Sequence, residues 1–302
     1  MYVQAPYTRR LSRQYPGLFV ILLDQSGSMS EKVEGEDLTK ADYATSAINE
    51  LIYTVGHEAA TDDSGRTKKL LYLTIFGYND SVYPLLTTSG DPLDIQFLTE
   101  HTRGTEEVVR YEYDTQTNSY QAVRRARPYW IDTPRAEGRT QMAQALLTAQ
   151  RVIARWLDPA RPTPPLEPDQ MPRQDGFPPV IVNITDAEHN GEGDPITVAN
   201  AIKSQGTLQG ANLIFTCHIT KDKRQPCVFP STPEEVAALH PTAAAMLEMS
   251  SVMPESLREK AAVVTHGIPV LPGARTFVYN ANAQVLAEFL KWGTKGTMGV
   301  YE

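Results

Sequence analysis

Apolar residues follow two alternating rhythms along the chain. The first is a set of short, nearly continuous runs at 18–23, 70–76, 180–185, 213–219 and 276–279. Runs of this length without polar alternation predict strands covered on both faces. The second is helical spacing. Between 39 and 58, Ala44, Ala47, Ile48, Leu51, Ile52 and Val55 share one face, and between 141 and 157 Ala143, Leu146, Leu147, Val152, Ile153 and Trp156 do the same. Further helices are predicted at 195–204, where Pro195 suits a first turn, and at 282–292. Buried strands separated by helices predict an α/β fold, doubly wound, with a mostly parallel central sheet flanked by helices.

Three segments interrupt the rhythm. Residues 106–133 alternate at a strand period through Val108, Val109, Tyr111 and Tyr113, pass a polar stretch at 115–118, and resume at Tyr120. That pattern predicts an inserted β-hairpin. Residues 157–179 hold eight of the 22 prolines, which excludes a helix and predicts an extended loop. Residues 233–263 are rich in alanine and methionine and are expected to be helical. The expected organisation is an arm (1–17), one domain (18–293) with insertions at about 94–135, 158–179 and 233–263, and a tail (294–302).

Composition narrows the function. The hydrophobic fraction of 41% over 302 residues supplies a full core. The 36 acidic and 28 basic residues give a net charge of −8, which disfavours binding to nucleic acid or an anionic membrane surface. No apolar run approaches the roughly 20 residues that span a bilayer. Residues 1–17 are polar and carry arginines, unlike a signal peptide. The two cysteines, Cys217 and Cys227, exclude a disulfide scaffold and suit a reducing compartment. A cytoplasmic location is the expectation.

The chemistry is concentrated at strand ends. Asp24 closes the first apolar run, and Ser26 and Ser28 follow in the turn. In open α/β sheets, ligands bind outside the carboxyl ends of the strands. A carboxylate and two hydroxyls there form an all-oxygen set suited to a hard divalent cation such as Mg²⁺ or Mn²⁺. Thr140, before the long helix, and Asp186, after the third strand, fall where the same edge would be reached.

Together, Asp24, Ser26, Ser28, Thr140 and Asp186 resemble the von Willebrand factor A (vWA) domain and its metal-ion-dependent adhesion site. That family's pattern is Asp-x-Ser-x-Ser, then a threonine in a Gly-rich turn, then an aspartate after a central strand. Ala187 stands where the family usually has glycine. The resemblance covers roughly 18–293. It implies that Ser26, Ser28 and Thr140 ligate the metal, that Asp24 and Asp186 act largely through bridging waters, and that a partner protein's Asp or Glu fills the open position. It implies no catalysis. The short arm and the ending around Phe289 and Trp292 look most like intracellular bacterial members of the TerY group, associated with protein kinase and phosphatase partners in stress-response or anti-phage modules. Some related domains instead serve as regulatory subunits of AAA+ ATPases.

The same residues admit other readings. The Asp24 turn could simply cap a following helix. A haloacid-dehalogenase nucleophile would need a second aspartate where Ser26 stands. A hydrolase using the metal to activate water has only Glu188 and His189 as nearby bases. Cys217, His218 and Cys227 match no zinc spacing, and Cys217 is expected in the core. Arg124, Arg125 and Arg127, interleaved with Tyr120 and Tyr129, are expected on a solvated hairpin face rather than in a binding patch. The sequon at Asn183 falls in a buried strand.

Overall fold

A computed structural model describes residues 6–33, 37–61, 65–114, 119–132, 136–186, 189–219, 226–237, 239, 241–265, 267–281, 285–286 and 288–289. In chain order the elements are β1 (Gly17–Asp24), α1 (Lys40–Thr54), β2 (Leu71–Tyr78), β3 (Val82–Pro84), β4 (Leu93–Asp94), α2 (Ile95–Glu100), β5 (Gly104–Asp114), β6 (Ser119–Tyr129) and α3 (Met142–Trp156). There follow β7 (Val180–Thr185), α4 (Pro195–Lys203), the small β8–β9 hairpin (Gly206–Thr207 with Gly210–Ala211), β10 (Leu213–His218), β11 (Cys227–Val228), α5 (Pro233–Ala237), α6 (Pro241–Met249), α7 (Glu255–Arg258) and β12 (Phe277–Tyr279).

The central sheet has the order β11-β12-β10-β7-β1-β2-β3, with β4 also paired to β2. Its five inner strands run parallel; β3, β4 and β11 are antiparallel. This is the expected doubly wound α/β architecture. The continuous apolar run of β1 is explained by two cores. Phe19, Ile21 and Leu23 face one core with Ala44, Ile48 and Ile52 of α1, while Leu18, Val20 and Leu22 face the other with Leu146, Ala149 and Ile153 of α3. A strand buried on both faces has no polar positions to alternate with.

The strand order positions the site. From β1 the chain crosses through α1 to β2 on one side, and it later returns to β7 on the other side of β1. The carboxyl ends of β1 and β7 therefore flank a topological switch point, where a crevice opens in this architecture.

Several local expectations are refined. The helix expected over 39–58 is regular only to Thr54 and ends in a π-helical turn at Val55–Ala59. Its start is fixed by a capping box between Thr39 and Asp42. The inserted hairpin is β5–β6, paired from Gly104–Tyr129 to Asp114–Ser119. The proline-rich segment contains only one 3-10 turn, Arg173–Asp175. It is held down by Arg173, whose guanidinium lies 3.2 Å from the Trp156 ring centroid and donates to Pro164 O at 2.9 Å. The segment expected to be helical at 233–263 is broken into α5, α6, α7 and a 3-10 turn. Of the helix expected over 282–292, Val285, Leu286, Glu288 and Phe289 are described; Leu286 and Phe289 are fully buried. The tail at 294–302 lies outside the described residues. No helix among the described residues is long and apolar enough to cross a membrane.

Candidate metal site at the β1–β7 switch point

Asp24 ends β1 and is wholly buried. Its Oδ1 accepts from the Ser26 amide at 2.9 Å, and its Oδ2 accepts from the Thr185 hydroxyl at 2.6 Å. Thr185 is the last residue of β7, so the two neighbouring strand ends are tied at the site itself. No ion pair to Asp24 occurs among the described residues. Burial pushes its carboxyl up to about 7, against the lowering effect of the Thr185 and Ser26 hydrogen bonds and with a further upward push from Asp186.

The turn after Asp24 runs into a 3-10 helix at Gly27–Ser30, which brings both serines to the same side. Ser26 Oγ and Ser28 Oγ lie 3.2 Å apart, and Ser28 Oγ donates to Asp186 Oδ1 at 2.9 Å. Four of the five sequence-derived residues (Asp24, Ser26, Ser28 and Asp186) thus form one hydrogen-bonded cluster across β1 and β7.

Thr140 arrives on a third segment. The Gly27 amide donates to Gly138 O at 3.1 Å and the Glu137 amide to Gln25 O at 3.0 Å, so the 137–141 loop lies directly against the serine turn. Gly138 has φ +78°, and a Cβ there would fall 2.3 Å from an Asp80 carboxylate oxygen. Only glycine fits that turn without displacement. Thr140 is buried, and its amide donates to Asn190 Oδ1 at 2.7 Å. His189 Nδ1 lies 3.0 Å from Thr140 O, and its Nε2 lies 2.8 Å from Gly193 O. The ring thus lies between the carbonyls of two loops, and in its neutral form donates to one of them.

The sequence pattern did not single out Lys40, Thr185 or Asn190. Lys40, the first residue of α1, is almost fully buried. Its Nζ lies 2.9 Å from Asp186 Oδ2, 2.9 Å from Glu31 Oε2 and 3.4 Å from Ser28 O. Burial works to lower the Lys40 pKa, but the Asp186 and Glu31 carboxylates outweigh it, and the value stands above the ordinary one.

Two further readings are settled by side-chain placement. Arg127 is not on a solvated face: it is buried between the hairpin and α1, donating to Glu50 at 2.8 Å, Glu106 at 2.5 Å and Ser46 at 3.2 Å. Arg124, by contrast, is exposed. Cys217 is wholly buried in β10, and Asn183 is buried in β7, accepting from the Tyr78 hydroxyl at 2.9 Å.

The donor set fits a hard divalent ion. It is oxygen only, it mixes carboxylates with neutral hydroxyls, and it includes the buried Asp24 carboxylate, which has no ion-pair partner among the described residues.

No protein-family profile matches the chain, and no curated protein matches it. Solved structures do. The pilus adhesin SpaC from Lactobacillus rhamnosus GG is 10% identical with a TM-score of 0.50, over 97% of this chain and 32% of that one. A von Willebrand factor type A protein from Catenulispora acidiphila is 14% identical with a TM-score of 0.42, over 94% and 43%. Proximal thread matrix protein 1 from the mussel byssus, with a zinc-occupied MIDAS motif, is 10% identical with a TM-score of 0.42, over 94% and 47%. The chain spans less than half the length of each. At these identities the likeness concerns the fold alone, an α/β fold with a mostly parallel central sheet flanked by helices.

Proposed function

We propose that this chain is a non-catalytic protein-interaction module that binds an acidic residue of a partner protein through a divalent metal, Mg²⁺ or Mn²⁺. The observation that carries the reading is the convergence of Asp24, Ser26, Ser28 and Asp186 at the switch point, with the Thr140 loop packed against them. Ser26, Ser28 and Thr140 would hold the ion by their hydroxyls, and Asp24 and Asp186 would orient its waters. A bound ion supplies Lewis-acid attraction for a carboxylate. Because most of the direct ligands are neutral, the ion stays under-neutralised and draws an external anion.

Of the two bases a hydrolase could use, His189 has both ring nitrogens within hydrogen-bond distance of backbone carbonyls, which supports binding over hydrolysis; Glu188 lies outside the described residues. The resemblance to TerY-type bacterial vWA proteins extends the proposal to a cytoplasmic stress-response or anti-phage module with kinase or phosphatase partners, the alternative being a regulatory subunit of an AAA+ ATPase.

The test is partner capture with the wild-type protein in Mg²⁺, the same in EDTA, and Asp24→Ala in Mg²⁺. A partner retained only in the first condition, and lost when its own Asp or Glu is substituted, supports the reading. Identical capture in all three contradicts it.

A further inference from the structure

The two oxygens of the Asp186 carboxylate have different tasks. Oδ1 accepts from Ser28 Oγ at 2.9 Å, and Oδ2 pairs with Lys40 Nζ at 2.9 Å. The lysine side chain is 5% exposed and the aspartate side chain 3%, so this ion pair lies inside the protein. Lys40's other carboxylate partner, Glu31, lies equally close at 2.9 Å but is 42% exposed, so water weakens its hold on the ammonium relative to that of the buried Asp186. A cation is thus built into the fold beside one of the two carboxylates, Asp24 and Asp186, that the described residues bring to the site.

Resting on the proposed metal site, we propose that Lys40 sets the site's charge: it holds down the intrinsic affinity for divalent metal and makes tight binding depend on a partner's carboxylate. In their ionised forms Asp24 and Asp186 together offer two negative charges. The Lys40 ammonium offsets one, so a bound divalent ion retains net positive charge in a buried setting where charge is poorly screened. That residual charge is what an incoming carboxylate relieves. A site built for tight metal retention alone would not place a buried ammonium 2.9 Å from one of its carboxylates. Lys40 also holds the Asp186 carboxylate so that Oδ1 stays on Ser28. Removing Lys40 therefore has two effects of opposite sign: loss of positioning weakens metal binding, and loss of charge tightens it. The charge effect is the larger, because Ser28 alone keeps a hydrogen bond to Oδ1.

The experiment is a Mn²⁺ titration of the full chain, with and without acetate as a stand-in for the partner's carboxylate, on wild type, Lys40→Met and Lys40→Arg. Lys40→Met is expected to bind Mn²⁺ about tenfold tighter than wild type, and acetate is expected to tighten binding less in this variant than in wild type. Lys40→Arg keeps the charge and should stay weaker than Lys40→Met. Should Lys40→Met unfold, Lys40→Gln, which retains a donor to Asp186, is expected to show the same tightening. Equal or weaker Mn²⁺ binding by folded Lys40→Met or Lys40→Gln, with wild type binding normally, overturns the role of Lys40 and leaves the metal site standing. Absence of Mn²⁺ binding in wild type and every variant overturns both.

Discussion

Ser28 and Asp186 lie 158 positions apart in the chain, yet the serine hydroxyl donates to the aspartate carboxylate at 2.9 Å. Ser28 belongs to the turn after β1 and Asp186 follows β7, and these strands are adjacent and parallel in the sheet. The contact is made by topology: only a chain that returns to the far side of β1 can bring these two strand ends together. If the pair orders the metal site, Ser28→Ala should lower Mn²⁺ affinity at least several-fold while leaving thermal stability within about 1 kcal/mol of wild type. Calorimetric titration and a melting curve check the two halves separately.

Asp24 carries the opposite sign. Its burial is costly in the metal-free protein, and the carboxyl is pushed up from 3.8 to about 7. A carboxyl raised in the folded state binds protons more readily there than in the unfolded chain. Its contribution to stability is therefore fully present below the ordinary value of 3.8 and is lost as pH rises through about 7. Asp24→Asn should raise the melting temperature of the metal-free protein at pH 8, by the equivalent of about 1–3 kcal/mol, and abolish any stabilisation by Mn²⁺. A lower melting temperature for the variant would show that the two hydrogen bonds to Asp24 outweigh its desolvation.

Arg127 docks the hairpin. With its guanidinium shared among Glu50, Glu106 and Ser46, Arg127→Met should destabilise the fold by about 1–3 kcal/mol. It should leave Mn²⁺ affinity unchanged, because none of these partners belongs to the metal site. Denaturant unfolding measured alongside a metal titration tests this separation.

Gly138 is the conformational pivot of the Thr140 loop. Alanine there must adopt φ near +78° and displace Asp80, whose carboxylate also accepts from the Arg139 amide at 3.1 Å. The expected cost is about 1–2 kcal/mol of stability. A fall in Mn²⁺ affinity should accompany it, since the loop carries Thr140. Full retention of affinity in Gly138→Ala would remove Thr140's loop from the account.

The cysteines differ in reactivity for a physical reason. Burial pushes the Cys217 thiol strongly upward, whereas Cys227 is half-buried and raised less. Native protein treated with a thiol reagent at pH 8 should be modified slowly at Cys227 and remain unmodified at Cys217 until it unfolds. Mass spectrometry of the labelled peptides distinguishes the two.

Much of this was legible from sequence because strands buried on both faces leave continuous apolar runs. The aspartate that stops such a run stands out, as Asp24 and Asp186 do. Ser26 and Ser28 were legible by short spacing, and the β5–β6 hairpin by its period of two. Lys40 was not legible. A lysine at a helix start reads as solvated, and only the return of β7 beside β1 supplies the carboxylate that buries it. Arg127 was misread as solvated for the same reason, since its partners Glu50 and Ser46 come from α1, far away in sequence. The break-up of 233–263 into short helices was legible in Pro241 and Pro254, which stand at the starts of α6 and α7, but alanine- and methionine-rich composition alone points to helix without such divisions.

A Mn²⁺ titration of wild type and Asp24→Ala, followed by electron paramagnetic resonance with Mg²⁺ as competitor, tests the metal site itself. Wild type should show a single saturable site, displaced by excess Mg²⁺ and lost in Asp24→Ala while circular dichroism shows the fold unchanged. Equal binding by the two proteins, or no binding by wild type, would contradict the metal site.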